Sequence, residues 1–414
     1  MARILIVGGS LGGLLAANML LRDGHDVQVL EKASGSLDGR GAGIVTHAAL
    51  MEGLARAGIP VDDTIGVKVA SRVALDERGD AVAQLPMPQI LTSWSRLYAL
   101  LYEAFPADRY HQGIAVRDVV QDERLVHVVS ESGARFEGDL LIASDGIRSA
   151  VRSHVLPATI PQYAGYIAWR GVCDETSLST RTLSTVFDHF GFGLPQGEQL
   201  IGYPVAGHGN ATGRGQRRFN FVWYRPADQD GRLRMLMTDV DGQHHPLGIP
   251  PHKVSPHHVA EMRECAHRLL APQFAEILDK TPQPFLQPIY DVASSRLAFD
   301  RIALMGDAAF VARPHVGMGV TKAAEDAMAL SDAMRLREGT PAALIDFEAK
   351  RLIAGQNVVE RGRRLGAYMQ AQGRASGANT VTRDALTVLR ETAIDLDLHD
   401  RPVSDPAAAT VETA

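Results

Sequence analysis

The chain has 414 residues, too many for one small domain and enough for two or three. Lys and Arg number 42 against 48 Asp and Glu, and the net charge of −6 gives no electrostatic footprint for nucleic acid. The only cysteines, Cys173 and Cys265, exclude a disulfide-stapled scaffold and point to a reducing cytoplasm, and no stretch is long and apolar enough to span a bilayer.

The first apolar stretch, Ile4 to Leu21, follows Arg3 as a secretory leader would, but it holds Asn18, packs four glycines into Gly8–Gly13 and lacks an A-x-A site. A buried strand at Ile4–Val7, a glycine turn and a helix through Leu21 closed by Gly24 account for it instead. Gly8-Gly9-Ser10-Leu11-Gly12-Gly13 is the G-x-G-x-x-G plan with Ser10 in place of the second glycine. Such a turn sets bare amides at a helix N-terminus, where a pyrophosphate can sit. A second strand from Asp26 ends at Glu31-Lys32, roughly twenty residues past the glycines, where a carboxylate can accept both ribose hydroxyls of an adenosine. Strand, glycines, helix, strand and acid in this order predict a dinucleotide site without saying which dinucleotide.

Further along, Leu140–Ala143 reads as a strand running into Ser144-Asp145-Gly146. The pattern returns at Arg301–Met305 and Gly306-Asp307, then passes through Arg313-Pro314-His315-Val316-Gly317-Met318-Gly319 into a helix from Val320 to about Arg337. A strand-end aspartate beside a glycine-rich helix start suits a polyhydroxylated chain and an electron-rich ring together. Between these segments, residues 166 to about 245 alternate like a half-buried antiparallel sheet, punctuated by Gly193, Gly197 and Gly202, with loops at 205–216 and 241–256. Thr340-Pro341 opens a C-terminal helix, and the tail from Arg401 is expected to be disordered. His244, His245, His252, His257 and His258 fit no zinc spacing and read as solvated loop residues, so no metal is expected.

The trio of glycine motif, Asp145-Gly146 and Gly306-Asp307 resembles the FAD-dependent aromatic hydroxylases of the p-hydroxybenzoate hydroxylase class. Within that class, Tyr163–Gly171, Phe219–Tyr224, Leu236–Val240 and Arg313-Pro314-His315 resemble the 2,6-dihydroxypyridine 3-hydroxylase branch. The resemblance runs from the first strand to about residue 370. It implies bound FAD, held by Gly8, Ser10, Leu11, Gly12, Gly13, Glu31 and Lys32 at the adenosine end. Arg40 resembles a loop arginine near the pyrophosphate, Gly43 a contact beside the ring, Arg96 a contact to the flavin side chain and Val116 a backbone contact to adenine. Asp145 joins the cofactor-binding residues, Gly306 and Asp307 fall to the ribityl side, and Pro314, Gly317, Met318, Gly319 and Val320 to the loop under the ring. Phe310, Met318 and Thr321 depart from the residues frequent in the wider class.

The fold so implied is α/β. A Rossmann-like FAD-binding domain comprises 1–72, 92–165 and 288–340, and an α+β substrate part with an antiparallel sheet comprises 73–91 and 166–287. A helical region covers 341–400 and a disordered tail 401–414. The implied reaction hydroxylates an electron-rich aromatic or N-heteroaromatic ring with O2 and NADH or NADPH, by way of a flavin C4a-hydroperoxide. NAD(P)H docks transiently, and a homodimer is compatible with the sequence. Decarboxylating, epoxidising or halogenating flavoenzymes, and an NAD-binding dehydrogenase or sensor, are the rival readings. His47, Tyr203 and His315 are the candidate catalytic residues. His47 is chosen because an imidazole beside the ring can take a phenolic proton. Arg170 and Tyr203 lie on expected strands and either face substrate or pack between sheets.

Overall fold

The computed structural model describes residues 1–35, 37, 43–246, 248–337, 340–370 and 383–394. The strand Arg3–Val7 lies between Asp26–Glu31 and Leu140–Ala143, parallel to both, and Ile302–Leu304 extends the sheet beyond Leu140–Ala143, again in parallel. Tyr110–Gln112 and the antiparallel Ala298–Phe299 form the two edges of this six-stranded layer. Leu140–Ala143 is apolar and buried throughout, and Arg3–Val7 is so from Ile4 onward, because both faces of the sheet are covered, as parallel sheets require. The helices Leu11–Arg22 and Gly319–Leu336 pack on one another, and their buried residues join the strands in one core. This is the Rossmann-like arrangement expected, with the two Asp-Gly and Gly-Asp turns at the C-terminal ends of adjacent strands.

The second sheet has nine strands, in the order Phe310–Val311, Phe285–Ala293, Gln162–Asp174, Arg218–Pro226, Gln199–Val205, Phe190–Gly193, Val67–Leu75, Ala81–Ser93, Gly43–Val45. Neighbours are antiparallel except Phe190–Gly193 and Val67–Leu75, which run parallel. The expected half-buried alternation is replaced by strands buried on both faces, Gln199–Val205 throughout. One face carries Trp169, Phe221 and Trp223 against Met262, Phe274 and Ile277 of the helices Pro256–Leu269 and Pro272–Asp279. The other carries Tyr166, Ala168, Tyr203 and Tyr224. His257 and His258 sit in the first turn of the first of these helices rather than in a loop, close to Glu261, whose carboxylate is taken by Arg232 at 2.7 Å.

The helix Thr340–Gly366 packs along Gly319–Leu336, and a short helix, Ala385–Glu391, lies against Val67–Leu75 and Ala81–Ser93. Arg72, fully buried, fastens this last segment: its guanidinium donates to the carbonyls of Leu389 (2.7 Å), Thr392 and Ala393 (2.9 Å) and to Gln89 Oε1 (2.7 Å). No carboxylate offsets its charge among the described residues, and burial pushes its pKa down to about 9. Among the described residues no helix is long and apolar enough to cross a membrane.

Candidate active site

Gly8 leaves the first strand with φ +101°, and a Cβ there would stand 2.4 Å from the carbonyl oxygen of Ser144, so the turn needs glycine. Ser10 is the N-cap of Leu11–Arg22 but its hydroxyl caps nothing, and the helix ladder begins with Leu14 N–H to the Ser10 carbonyl. The amides before that bond are not spent inside the helix and form an anion-binding end. Glu31 closes the turn from the neighbouring strand: Oε2 accepts from Gly9 N (2.8 Å) and Oε1 from Ala33 N (2.8 Å).

These groups line a cavity of about 470 Å³ that brings together Gly8, Ser10, Glu31, Lys32, Val116 and Asp145. Trp94 and Arg148 line it as well, and no sequence motif had singled them out. Arg96 lies two residues after Trp94 and reaches Thr64 Oγ1 at 3.5 Å; Arg40 lies outside the described residues. Asp145 Oδ2 accepts from Ala150 N (2.8 Å), whereas Oδ1 is buried with no partner among the described residues, and burial pushes the carboxyl up.

A second cavity, of about 250 Å³, is bounded by Asp307, Pro314, Gly317, Gly319 and Val320 on one side and by Gly43, Arg170, Tyr203 and Tyr224 of the nine-stranded sheet on the other. Gly306 has φ +58° and its N–H is held by Asp326 Oδ2 at 2.9 Å, which fixes the direction of Asp307. Asp307 opens onto the cleft although protein surrounds it, and that enclosure pushes its carboxyl up, with Lys322 pulling back and Asp326 adding to the rise. Gly317, at φ +66°, ends the Pro314–Val316 turn, and a Cβ on it would meet Ala393 Cβ at 2.6 Å. Met318, the N-cap residue of Gly319–Leu336, buries its side chain with Val316, Val358 and Leu365.

The three catalytic candidates are placed differently. Tyr203 lines the second cavity, its ring against Gly43, and burial pushes its hydroxyl up to about 12. His47 is buried at the N-cap of Ala48–Arg56, two residues beyond the cavity-lining Val45, with Nδ1 2.9 Å from Thr321 Oγ1. His315 turns its ring into the core: Nε2 is 2.8 Å from the Tyr166 hydroxyl, and the ring meets Tyr224 edge-on at 4.1 Å. Burial pushes its pKa down to about 3, so it is neutral at physiological pH, while its carbonyl accepts from Ala393 N (2.8 Å).

The residues present fit FAD. A glycine cradle that a Cβ would fill, an orphaned carboxylate oxygen on Asp145 and a second acid at the adjacent strand end offer sites for a pyrophosphate and for hydroxyl-rich chains. Fold and cavities together define a flavin-binding oxidoreductase whose second cavity is roofed by a sheet.

The sequence pattern of the FAD binding domain family matches residues 1–184 and 260–362, and an FAD binding domain-like pattern matches 163–291. The chain belongs to the FAD binding domain family, and its cofactor is FAD. It is 32% identical over 372 residues to 2,6-dihydroxypyridine 3-monooxygenase of Paenarthrobacter nicotinovorans, covering 90% of this chain and 92% of that one. To 6-hydroxynicotinate 3-monooxygenase of Pseudomonas fluorescens it is 26% identical, over 80% of this chain and 82% of that one. The structure of 2,6-dihydroxypyridine-3-hydroxylase from Arthrobacter nicotinovorans superposes with a TM-score of 0.84 at 31% identity, covering 90% of this chain and 93% of that one.

Proposed function

We propose that this FAD-dependent monooxygenase hydroxylates an electron-rich, hydroxypyridine-like or phenolic ring at the expense of NADH or NADPH and O2. The observation that carries the reading is the second cavity, where the strand-end Asp307 and the glycine loop face Tyr203 and Tyr224 across one chamber. Bound FAD supplies the exchange of electrons with NAD(P)H and the activation of O2. The glycine helix, Glu31 and Asp145 would hold its adenosine and pyrophosphate, and Asp307 would take the hydroxyls of its side chain.

The remaining steps belong to the chain. Ile44, Val45, Ile201, Val222, Ile289 and Val316 line the chamber with hydrocarbon and exclude water. Tyr203 and Tyr224 line the chamber, and their hydroxyls orient a polar substituent of the ring. His47, buried two residues beyond the cavity-lining Val45 with Nδ1 engaged by Thr321, is the residue assigned the substrate proton, since oxygen transfer to an ionised ring hydroxyl is easier than to a neutral one. A cytoplasmic enzyme is in keeping with the two buried, unpaired cysteines.

The test is a screen of hydroxylated pyridines and benzoates for stimulated NAD(P)H oxidation, with products identified by mass. A gain of one oxygen atom on the ring is expected. Flavin reduction that no ring compound stimulates, or products without added oxygen, overturns the proposal.

A further inference from the structure

Three charged residues line the second cavity, and two are accounted for. Arg313 is paired with Asp291 (Nη2 to Oδ2, 3.0 Å), and Asp307 belongs to the flavin-binding strand end beside Lys322. Arg170 is different. It shares the inner face of Gln162–Asp174 with Tyr166 and Ala168, as alternate residues of a strand must. Nη1 donates to the neutral Gln287 Oε1 at 2.7 Å, Nε is buried with no partner, and among the described residues no carboxylate reaches it. The other polar groups around it are the hydroxyls of Tyr203 and Tyr224, both raised by burial and both drawn back by the Arg170 charge.

A half-buried cation without a counter-charge gives up part of its hydration, and a ligand that brings the missing anion recovers that cost. With Nη1 held by Gln287, the guanidinium plane is fixed and its Nε–Nη2 edge remains as a two-point donor, the geometry that matches a planar oxyanion. We propose that Arg170 is the anion-recognition residue of the substrate chamber, so that the ring this enzyme takes carries a carboxylate or an ionised hydroxyl on the edge bound to the sheet. This rests on the aromatic-hydroxylase reading above and narrows it from any electron-rich ring to an anionic one. Gln287 acts as the positioning residue, and Tyr203 and Tyr224 supply further donors to the same oxyanion.

The experiment titrates the flavin absorbance of the holoenzyme with hydroxypyridine carboxylates against their carboxamides, and with dihydroxypyridines across pH. The expected result is a preference for the anionic partner of about tenfold to a hundredfold, the range of a charge-assisted pair of bonds. The preference should collapse towards unity in Arg170→Gln and survive in part in Arg170→Lys, which keeps the charge but not the two-point edge. A carboxylate-over-carboxamide preference identifies a carboxylate ligand, and dihydroxypyridine affinity that follows ligand ionisation identifies a ring oxide. Equal affinity for charged and neutral partners in the unsubstituted protein overturns the inference without any variant, as does an undiminished preference in Arg170→Gln. Hydroxylation with no charge preference sinks the anion site alone. Charge-selective binding with no hydroxylation sinks the hydroxylase reading alone, and failure to bind any ring compound sinks both.

Discussion

Replacing Glu31 with alanine removes a carboxylate that is 6% exposed and holds two backbone amides, Gly9 N and Ala33 N, each at 2.8 Å. Gly9 is buried, so its N–H is left without a partner and costs about 2–3 kcal/mol; Ala33 is half-buried, water recovers part of its bond, and about 1 kcal/mol is lost there. The sum, about 3–4 kcal/mol, falls on the turn that shapes the pyrophosphate cradle and is present before any cofactor binds. Glu31→Ala should therefore melt several degrees lower even without FAD, and should bind FAD at least about tenfold more weakly through loss of the ribose contact as well. Glu31→Gln keeps one acceptor oxygen and should lie between. Thermal melting of cofactor-stripped protein and fluorescence titration of FAD separate the two effects. The hydroxylated product should stay the same, because the first cavity is not where the ring reacts. An apoprotein as stable as its parent would refute the assignment of the carboxylate to the two amides, and a changed product with unchanged FAD affinity would move Glu31 away from the adenosine.

Other residues make sharper use of pH and coupling. The Asp307 carboxyl is raised by enclosure, so its stabilising contribution exists below the ordinary carboxylate pKa and is lost as pH rises. Asp307→Asn should then melt higher than its parent as apoprotein at pH 7 yet hold FAD less tightly, and a variant that is less stable but fully loaded contradicts this. His315, depressed to about 3, makes the fold lose stability as pH falls from about 6.5 towards 3; His315→Gln should flatten that slope in denaturant titrations at pH 7 and pH 5. Arg72→Met frees three carbonyls, and hydrogen exchange of residues 385–393 should quicken while flavin content holds; unchanged protection there rules out the clamp. His47→Ala should bind FAD normally but hydroxylate about 10²–10⁴-fold more slowly, releasing peroxide per NAD(P)H consumed, and coupling equal to the parent's would direct attention to Tyr203.

The parts of the site legible in the sequence are those whose physics is local. The Gly8–Gly13 turn, Glu31 at a strand end, and Gly306-Asp307 before a glycine loop declare themselves within short windows, because turn, helix start and acid must be contiguous to work. What stayed hidden depends on residues far apart in the chain. Arg170 and Gln287 meet across antiparallel strands, and whether Arg170 faced the chamber or the helices could not be read from alternation, since both faces are buried. The same double burial turned an expected half-exposed sheet into a covered one once Pro256–Leu269 and Pro272–Asp279 packed on it. His315 sits in a cavity-lining segment but spends its ring on Tyr166 and Tyr224, an orientation fixed by partners 149 and 91 positions away. Trp94 carries no motif, and it reaches the first cavity because the helix it opens packs on Leu11–Arg22.

The fastening of Ala393 against Gly317 sets an order of events during synthesis. Glycine cradle, both strand-end acids and glycine loop have all left the ribosome when residues 383–393 are still to be made, and the family pattern is complete at residue 362. The dinucleotide cleft is therefore finished first, while the chamber for the ring still lacks the wall that Ala393 provides. Changes to the last helix reach the chamber through Ala393 and the glycine loop through Gly317, and spare the first cavity, which neither residue lines.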